Sequence, residues 1–124
     1  MTKDLPNHYQ NVMPYLILKE AGKFVQFMQN VFNAVETMRI MRDPDTIMHG
    51  EVMVGTSTIM FAECTDAFSP CTAGMFIYVD NADERYRKAL AEGAVSLTEV
   101  SDQSYGRSGG VRDPFGNSWW ITSI

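Results

Sequence analysis

His49 and Glu51 are the two side chains best suited to move a proton, and they stand two apart in Met48-His-Gly-Glu-Val-Met-Val54. A spacing of two places both on one face of a strand. They are the candidate catalytic residues: a general-base pair for a lyase or isomerase, or donors in an atypical metal arrangement. The structural alternative is that His49 donates a hydrogen bond within the sheet or lies at its rim. Cys64 and Cys71 share one short polar segment, and their spacing is unlike the common zinc knuckles, so they read as reduced thiols. Ser104-Tyr-Gly-Arg-Ser-Gly-Gly110 is glycine-rich but precedes a strand rather than a helix, which leaves only a weak phosphate-binding reading. It is better read as a mobile loop over the mouth of a binding cup, with Tyr105 and Arg107 as candidate lid contacts, and Asp102 to Arg107 is expected to be a polar loop.

The elements that position these residues are written twice in the chain. Ser108-Gly-Gly-Val-Arg-Asp-Pro-Phe-Gly-Asn-Ser-Trp-Trp-Ile121 reads as strand, tight turn and strand. Asp113-Pro114 starts the turn, and Gly116-Asn117 supplies residues that tolerate positive φ. Met48 to Phe61 has the same organisation around Gly55-Thr56-Ser57. Ahead of each hairpin lie a short apolar strand, an amphipathic helix and a further strand. In the first copy these are Val12 to Leu18, a helix carrying Phe24, Phe27, Met28, Val31 and Phe32 and ended by Asn33, and Val35 to Met41. In the second they are Met75 to Val79, a helix capped by Asn81 or Asp83 and closed by Gly93, and Val95 to Val100. Corresponding landmarks recur 60 to 62 residues apart. The fold class is therefore α+β: two tandem βαβββ modules, about 12–63 and 73–124, joined by a linker at 64–72, in a single domain. Neither one-sided sheet is buried alone, so each helix is expected to cover one face while the other faces form a curved, cup-like mixed sheet. Met75, Ile77 and Val79 suit the helix side, and Phe76 and Tyr78 then face the cup.

Composition narrows the function classes. The chain has 124 residues and a net charge of -5, with no cluster of Lys and Arg. This disfavours nucleic acid and anionic membrane surfaces as partners. The start of the chain is polar with no apolar stretch behind it, so no secretory leader is expected and the expected address is the cytoplasm.

Asp113-Pro114-Phe115-Gly116-Asn117, the helix string Phe27-Met28-Gln29-Asn30-Val31-Phe32-Asn33-Ala34, and His49-Gly50-Glu51 together resemble the vicinal oxygen chelate superfamily. That group includes glyoxalase I, extradiol dioxygenases, fosfomycin resistance enzymes and bleomycin-binding proteins. The chain is most similar to its PhnB-like, glyoxalase/bleomycin resistance branch, over about Val12 to Ile124. The resemblance implies the glyoxalase/bleomycin resistance fold and, in the family's metalloenzymes, four metal-holding positions. These fall here at about Met13, Ile59, Gly74 and Trp120, or, with a one-residue slip, at Pro14, Met60, Met75 and Trp119. None suits a hard or borderline divalent ion, so neither a metal nor another cofactor is expected.

With those positions facing the cup, strand parity makes Tyr15, Ile17, His49, Glu51, Met53, Phe76, Tyr78, Arg112 and Trp120 the expected ligand-binding lining. Trp119 and Ile121 then pack outward against the helix. The repeat equates Glu51 with Arg112, which could pair with each other or contact a ligand directly. The leading expectation is a metal-free protein binding a small organic molecule of the antibiotic or toxic-compound kind. The alternatives are a glyoxalase-type lyase or isomerase using His49 and Glu51, and a structural or regulatory dimer with a filled cup. A homodimer is expected from the resemblance and from the exposed sheet edges.

Overall fold

The structure is a computed structural model and describes residues 4–124. The elements run β1 (Tyr15–Leu18), α1 (Ala21–Phe32), β2 (Val35–Asp43), β3 (Thr46–Val54), β4 (Ser57–Glu63), β5 (Gly74–Tyr78), α2 (Ala82–Ala91), β6 (Val95–Gln103), β7 (Gly106–Arg112) and β8 (Ser118–Ser123). This is βαβββ twice, as the repeat implies. Two compact units result: residues up to Gln29 with Asn33–Cys71, and Asn30–Phe32 with Thr72–Ile124. Among the described residues no helix is long and apolar enough to cross a membrane.

In the first unit the strand order is β1-β4-β3-β2. β1 runs parallel to β4, because α1 carries the chain back over the sheet, and β3 is antiparallel to both its neighbours. Ala21, Phe24, Val25, Phe27, Met28 and Val31 are buried on α1, and the Phe24 ring meets Phe61 of β4 edge-on at 5.2 Å. The helix ends as its sequence requires. Asn33 takes the left-handed conformation at φ 56, and the Ala34 N–H closes on the Met28 carbonyl at 3.2 Å. Its start is less conventional. The Glu63 carboxylate, from the end of β4, accepts the backbone N–H groups of Glu20 and Ala21, both at 2.9 Å.

The segment ahead of β1 is fastened to β4 by side chains. The Gln10 amide donates to the Thr58 carbonyl at 2.9 Å and accepts the Thr58 N–H at 3.1 Å, imitating one rung of a ladder. The Thr58 hydroxyl donates to the His8 carbonyl. Regular pairing begins only at Tyr15, so β1 is shorter than Val12 to Leu18, since Pro14 has no N–H to give to a ladder. On its other side, Ile17 and Cys71 exchange backbone hydrogen bonds of 3.0 and 2.9 Å.

The second unit repeats the order as β5-β8-β7-β6. Asn81 caps α2, its side chain accepting the Glu84 N–H at 3.1 Å, and Gly93 (φ 100) ends it. Trp119 and Ile121 are buried on β8, and Trp119 packs against Phe32 at 4.9 Å. The β7–β8 turn is built around Asp113. Its carboxylate accepts from the backbone N–H groups of Phe115 and Asn117, the Asn117 side-chain amide and the Trp119 indole, each at 2.9 Å. Gly116 carries the positive φ expected of it. Asn117 does not: it is buried, and its role is to tie Asp113 to the Ala73 N–H.

Two further expectations change. Asp102 to Arg107 is not a polar loop but the tip of a hairpin with a two-residue turn at Ser104 and Tyr105. β6 continues to Gln103 and β7 starts at Gly106, because Arg107 is held by Asp83 at 2.6 Å and by Asp102 at 3.1 Å. Arg107 is thus a sheet residue with two carboxylate partners rather than a lid contact. The outer strands β2 and β6 also run longer than expected and are irregular. Register shifts interrupt β2 between Glu36 and Met38, between Ile40 and Met41, and between Met41 and Asp43. β6 is interrupted between Ser96 and Thr98 and between Thr98 and Ser101.

Candidate functional site

The first unit brings three expected site residues together and adds a fourth. β3 holds His49 and Glu51 on one face, and β1 delivers Tyr15 to the same face, since Tyr15 and Glu51 both pair with Met60 of β4. The Tyr15 hydroxyl lies 3.0 Å from His49 Nδ1, and His49 Nε2 lies 2.7 Å from Glu51 Oε2. Glu51 is only 1% exposed, a burial that a carboxylate tolerates when its oxygens are occupied. The occupant is Tyr9, whose hydroxyl donates to Oε1 at 2.7 Å and Oε2 at 2.8 Å. That contact holds the Tyr9 phenol above its usual pKa of 10, chiefly through the hydrogen bond to Glu51, with burial and the carboxylate's charge adding to it. Glu51 therefore presents no free face to a ligand; it supports His49, which supports Tyr15.

Tyr15 opens onto a cleft of about 410 Å³, lined also by Ile17, Met48, Ala62, Ala67 and Phe68, with Arg42, Glu63 and Thr65 as its polar groups. Tyr15 is 49% exposed there. The Glu63 carboxylate is engaged with the start of α1, while Arg42 makes one long hydrogen bond of 3.4 Å to the Glu63 carbonyl. An apolar hollow with few polar groups is the usual form of a small-molecule site. Met53 lies further along β3, between Val35 and Thr58.

The second unit holds the other expected residues. Phe76 and Tyr78 are exposed on β5, with ring centroids 5.2 Å apart, and Phe76 pairs with Trp120 of β8. Trp119 is 1% exposed and Trp120 40%, the alternation that parity requires. The Trp120 indole lies across two glycines: a Cβ on Gly74 would stand 3.1 Å from the ring and one on Gly110 3.6 Å. Arg112 is exposed at the end of β7.

Register corrects the repeat alignment. Met60 pairs with Tyr15 and Glu51, whereas Trp120 pairs with Phe76 and Gly110. Glu51 therefore corresponds to Gly110, not to Arg112, and Met60 rather than Ile59 corresponds to Trp120. The cause is segment length: Glu51 lies 36 residues after Tyr15 but Gly110 only 34 after Phe76, while Met60 lies nine after Glu51 and Trp120 ten after Gly110. Ile59 is accordingly buried in the core, and the hydrogen-bond partners of Glu51 are Tyr9 and His49.

Sequence reasoning missed Tyr9, Arg42 and Phe68. Phe68, an aromatic residue in an otherwise polar linker, was the one visible signal.

Comparison with known proteins bears on the fold. No protein-family model matches the chain. It is 27% identical to the uncharacterised protein Mb0911c of Mycobacterium bovis, covering 86% of this chain and 78% of that protein. Among solved structures, the PhnB protein of Bacillus cereus superposes with a TM-score of 0.77 at 15% identity, covering 93% of this chain and 100% of the other. A glyoxalase/bleomycin resistance protein/dioxygenase family enzyme from Burkholderia phytofirmans superposes with a TM-score of 0.73 at 20% identity, covering 90% and 96%. The chain has the glyoxalase/bleomycin resistance fold.

The four positions that the resemblance assigns to a metal carry Met13, just ahead of β1, Gly74, Trp120 and, by the corrected register, Met60: two thioethers, no side chain and an indole. These residues do not fit a divalent ion of the usual kind. Among the described residues no group of three or more His, Cys, Asp or Glu side chains could hold one elsewhere.

Proposed function

We propose that this chain binds a small organic molecule in the cleft of its first unit, with the Tyr15 phenol, the Phe68 ring and the Arg42 guanidinium as principal contacts. The cleft carries this reading: about 410 Å³ of mostly apolar hollow, with a cation and a hydrogen-bonded phenol in its wall. Its size falls in the range of sites for small ligands, and the apolar wall supplies most of the contact area. Arg42 favours a ligand with a carboxylate or comparable anion, which a guanidinium recognises through paired N–H groups.

Calorimetry and thermal melting against benzoate, 4-hydroxybenzoate and 2-naphthoate, with neutral and cationic analogues of each, test the proposal. Saturable binding of the aromatic anions is expected, weakened about fivefold to tenfold by Phe68→Ala or Arg42→Ala, the scale of one lost aromatic or ionic contact. Flat heats and unchanged melting across all three charge classes would reject it.

A further inference from the structure

We propose that Tyr15 is a proton-transfer residue, working through His49 and Glu51 on an anionic small molecule that brings an acidic C–H or O–H into the cleft. This rests on the small-molecule reading of the cleft and adds chemistry to it.

The hydrogen-bond inventory gives the chain a direction. Glu51, as a carboxylate, offers only acceptors, and Tyr9 donates to both its oxygens. His49 Nε2, 2.7 Å from Oε2, then carries the imidazole proton. In the neutral ring, Nδ1 is left with a lone pair, and the Tyr15 hydroxyl stands 3.0 Å from it. The donors therefore run from Tyr15 to His49 to Glu51, with Tyr9 closing the far end.

One step follows. The Tyr15 oxygen takes a proton from the ligand's C–H or O–H as its own proton passes to Nδ1, and the ligand keeps the electron pair of the broken bond. Net, one proton moves from the ligand to His49, and the reverse step returns it. The imidazolium that forms lies against a buried carboxylate, where water screens the attraction little. This is the arrangement of a serine–histidine–aspartate triad with a phenol in the hydroxyl's place. Tyr15 would touch the ligand; Glu51 and Tyr9 are positioning residues. Arg42 would hold the anionic group.

A probe that relies on the same passage of the Tyr15 proton to His49 Nδ1 tests it. In 4-(fluorosulfonyl)benzoate, phenol oxygen attacks sulfur, the S–F bond breaks, fluoride leaves with the electron pair, and the phenol proton goes to Nδ1. Tyr78 and Tyr105 are internal controls, since both are exposed and, among the described residues, neither is hydrogen-bonded to a histidine. Peptide mass spectrometry of the whole chain should find Tyr15 labelled about tenfold faster than either, with the rate saturating in probe. His49→Gln should remove that advantage. Glu51→Gln, which keeps an acceptor but not the charge, should cut the maximal rate severalfold. Arg42→Ala should raise the half-saturating concentration severalfold.

Tyr15 labelling no faster than Tyr78 in the wild-type protein, a comparison that needs no variant, overturns the relay. So does saturable labelling indifferent to His49→Gln. Fast, His49-dependent labelling that stays linear in probe upholds the relay and overturns the cleft as a binding site.

Discussion

Tyr9→Phe isolates the support beneath Glu51. The substitution keeps the ring and removes one hydroxyl, which donates to both carboxylate oxygens at 2.7 and 2.8 Å. A hydrogen bond to a charged group contributes about 1.5–3 kcal/mol, and because Glu51 is buried, water does not readily replace the lost donor. Tyr9 is itself half-buried, so the expected loss lies inside that range rather than above it, about 2 kcal/mol. Urea denaturation at pH 7 should show the midpoint falling by about 1 M with an unchanged slope. The variant also has a pH signature. The folded state holds the Tyr9 phenol above its usual pKa of 10, so the folded chain keeps that proton more tightly than the unfolded chain does. The stabilisation is complete below about pH 10 and is lost as pH rises through the raised folded value. Wild-type and Tyr9→Phe stabilities should therefore converge in alkali. A loss below about 0.5 kcal/mol at pH 7, or curves that stay parallel above pH 10, would show that Tyr9 does not carry the Glu51 charge.

Two substitutions test the scaffold. Asp113→Ala leaves the Phe115 and Asn117 N–H groups, the Asn117 amide and the Trp119 indole without their shared acceptor, and should cost about 3–5 kcal/mol in denaturant unfolding, with Trp fluorescence shifting as the turn opens. Gly50→Ala drives a methyl group into the buried Phe61 ring and should cost about 1–3 kcal/mol, which Phe61→Leu in the same chain should partly restore.

What the sequence could reveal was local, and what it concealed was long-range. Asn33 and Gly116 announced a helix end and a turn because a left-handed residue is a local necessity, and both are found in that conformation. The alternation of Trp119 and Trp120, and of Ile77 against Phe76 and Tyr78, followed from strand parity alone. The support of Glu51 could not be read this way, because Tyr9 reaches it from 42 residues away, out of a segment with no strand pattern. The equation of Glu51 with Arg112 failed because one constant offset was carried along the whole repeat, whereas the second copy is two residues shorter between its first and third strands and one longer across its hairpin. Asp113 was legible as the start of a turn, but its hold on the Trp119 indole depends on how that turn folds back. Phe68 and Arg42 reach the cleft from a linker and an outer strand, and neither position has a periodicity to declare it.

The broken registers of β2 and β6 bear on how the molecule behaves in a crowd. β2 displays Val35, Met38, Ile40 and Met41 to solvent on an outermost strand, a composition that ordinarily invites a neighbouring chain to zip alongside. Its three irregularities deny such a visitor any long straight run of matched donors and acceptors, and β6 has two of its own. The kinked backbone of β2 and β6 thus offers an arriving strand only short stretches of matched edge.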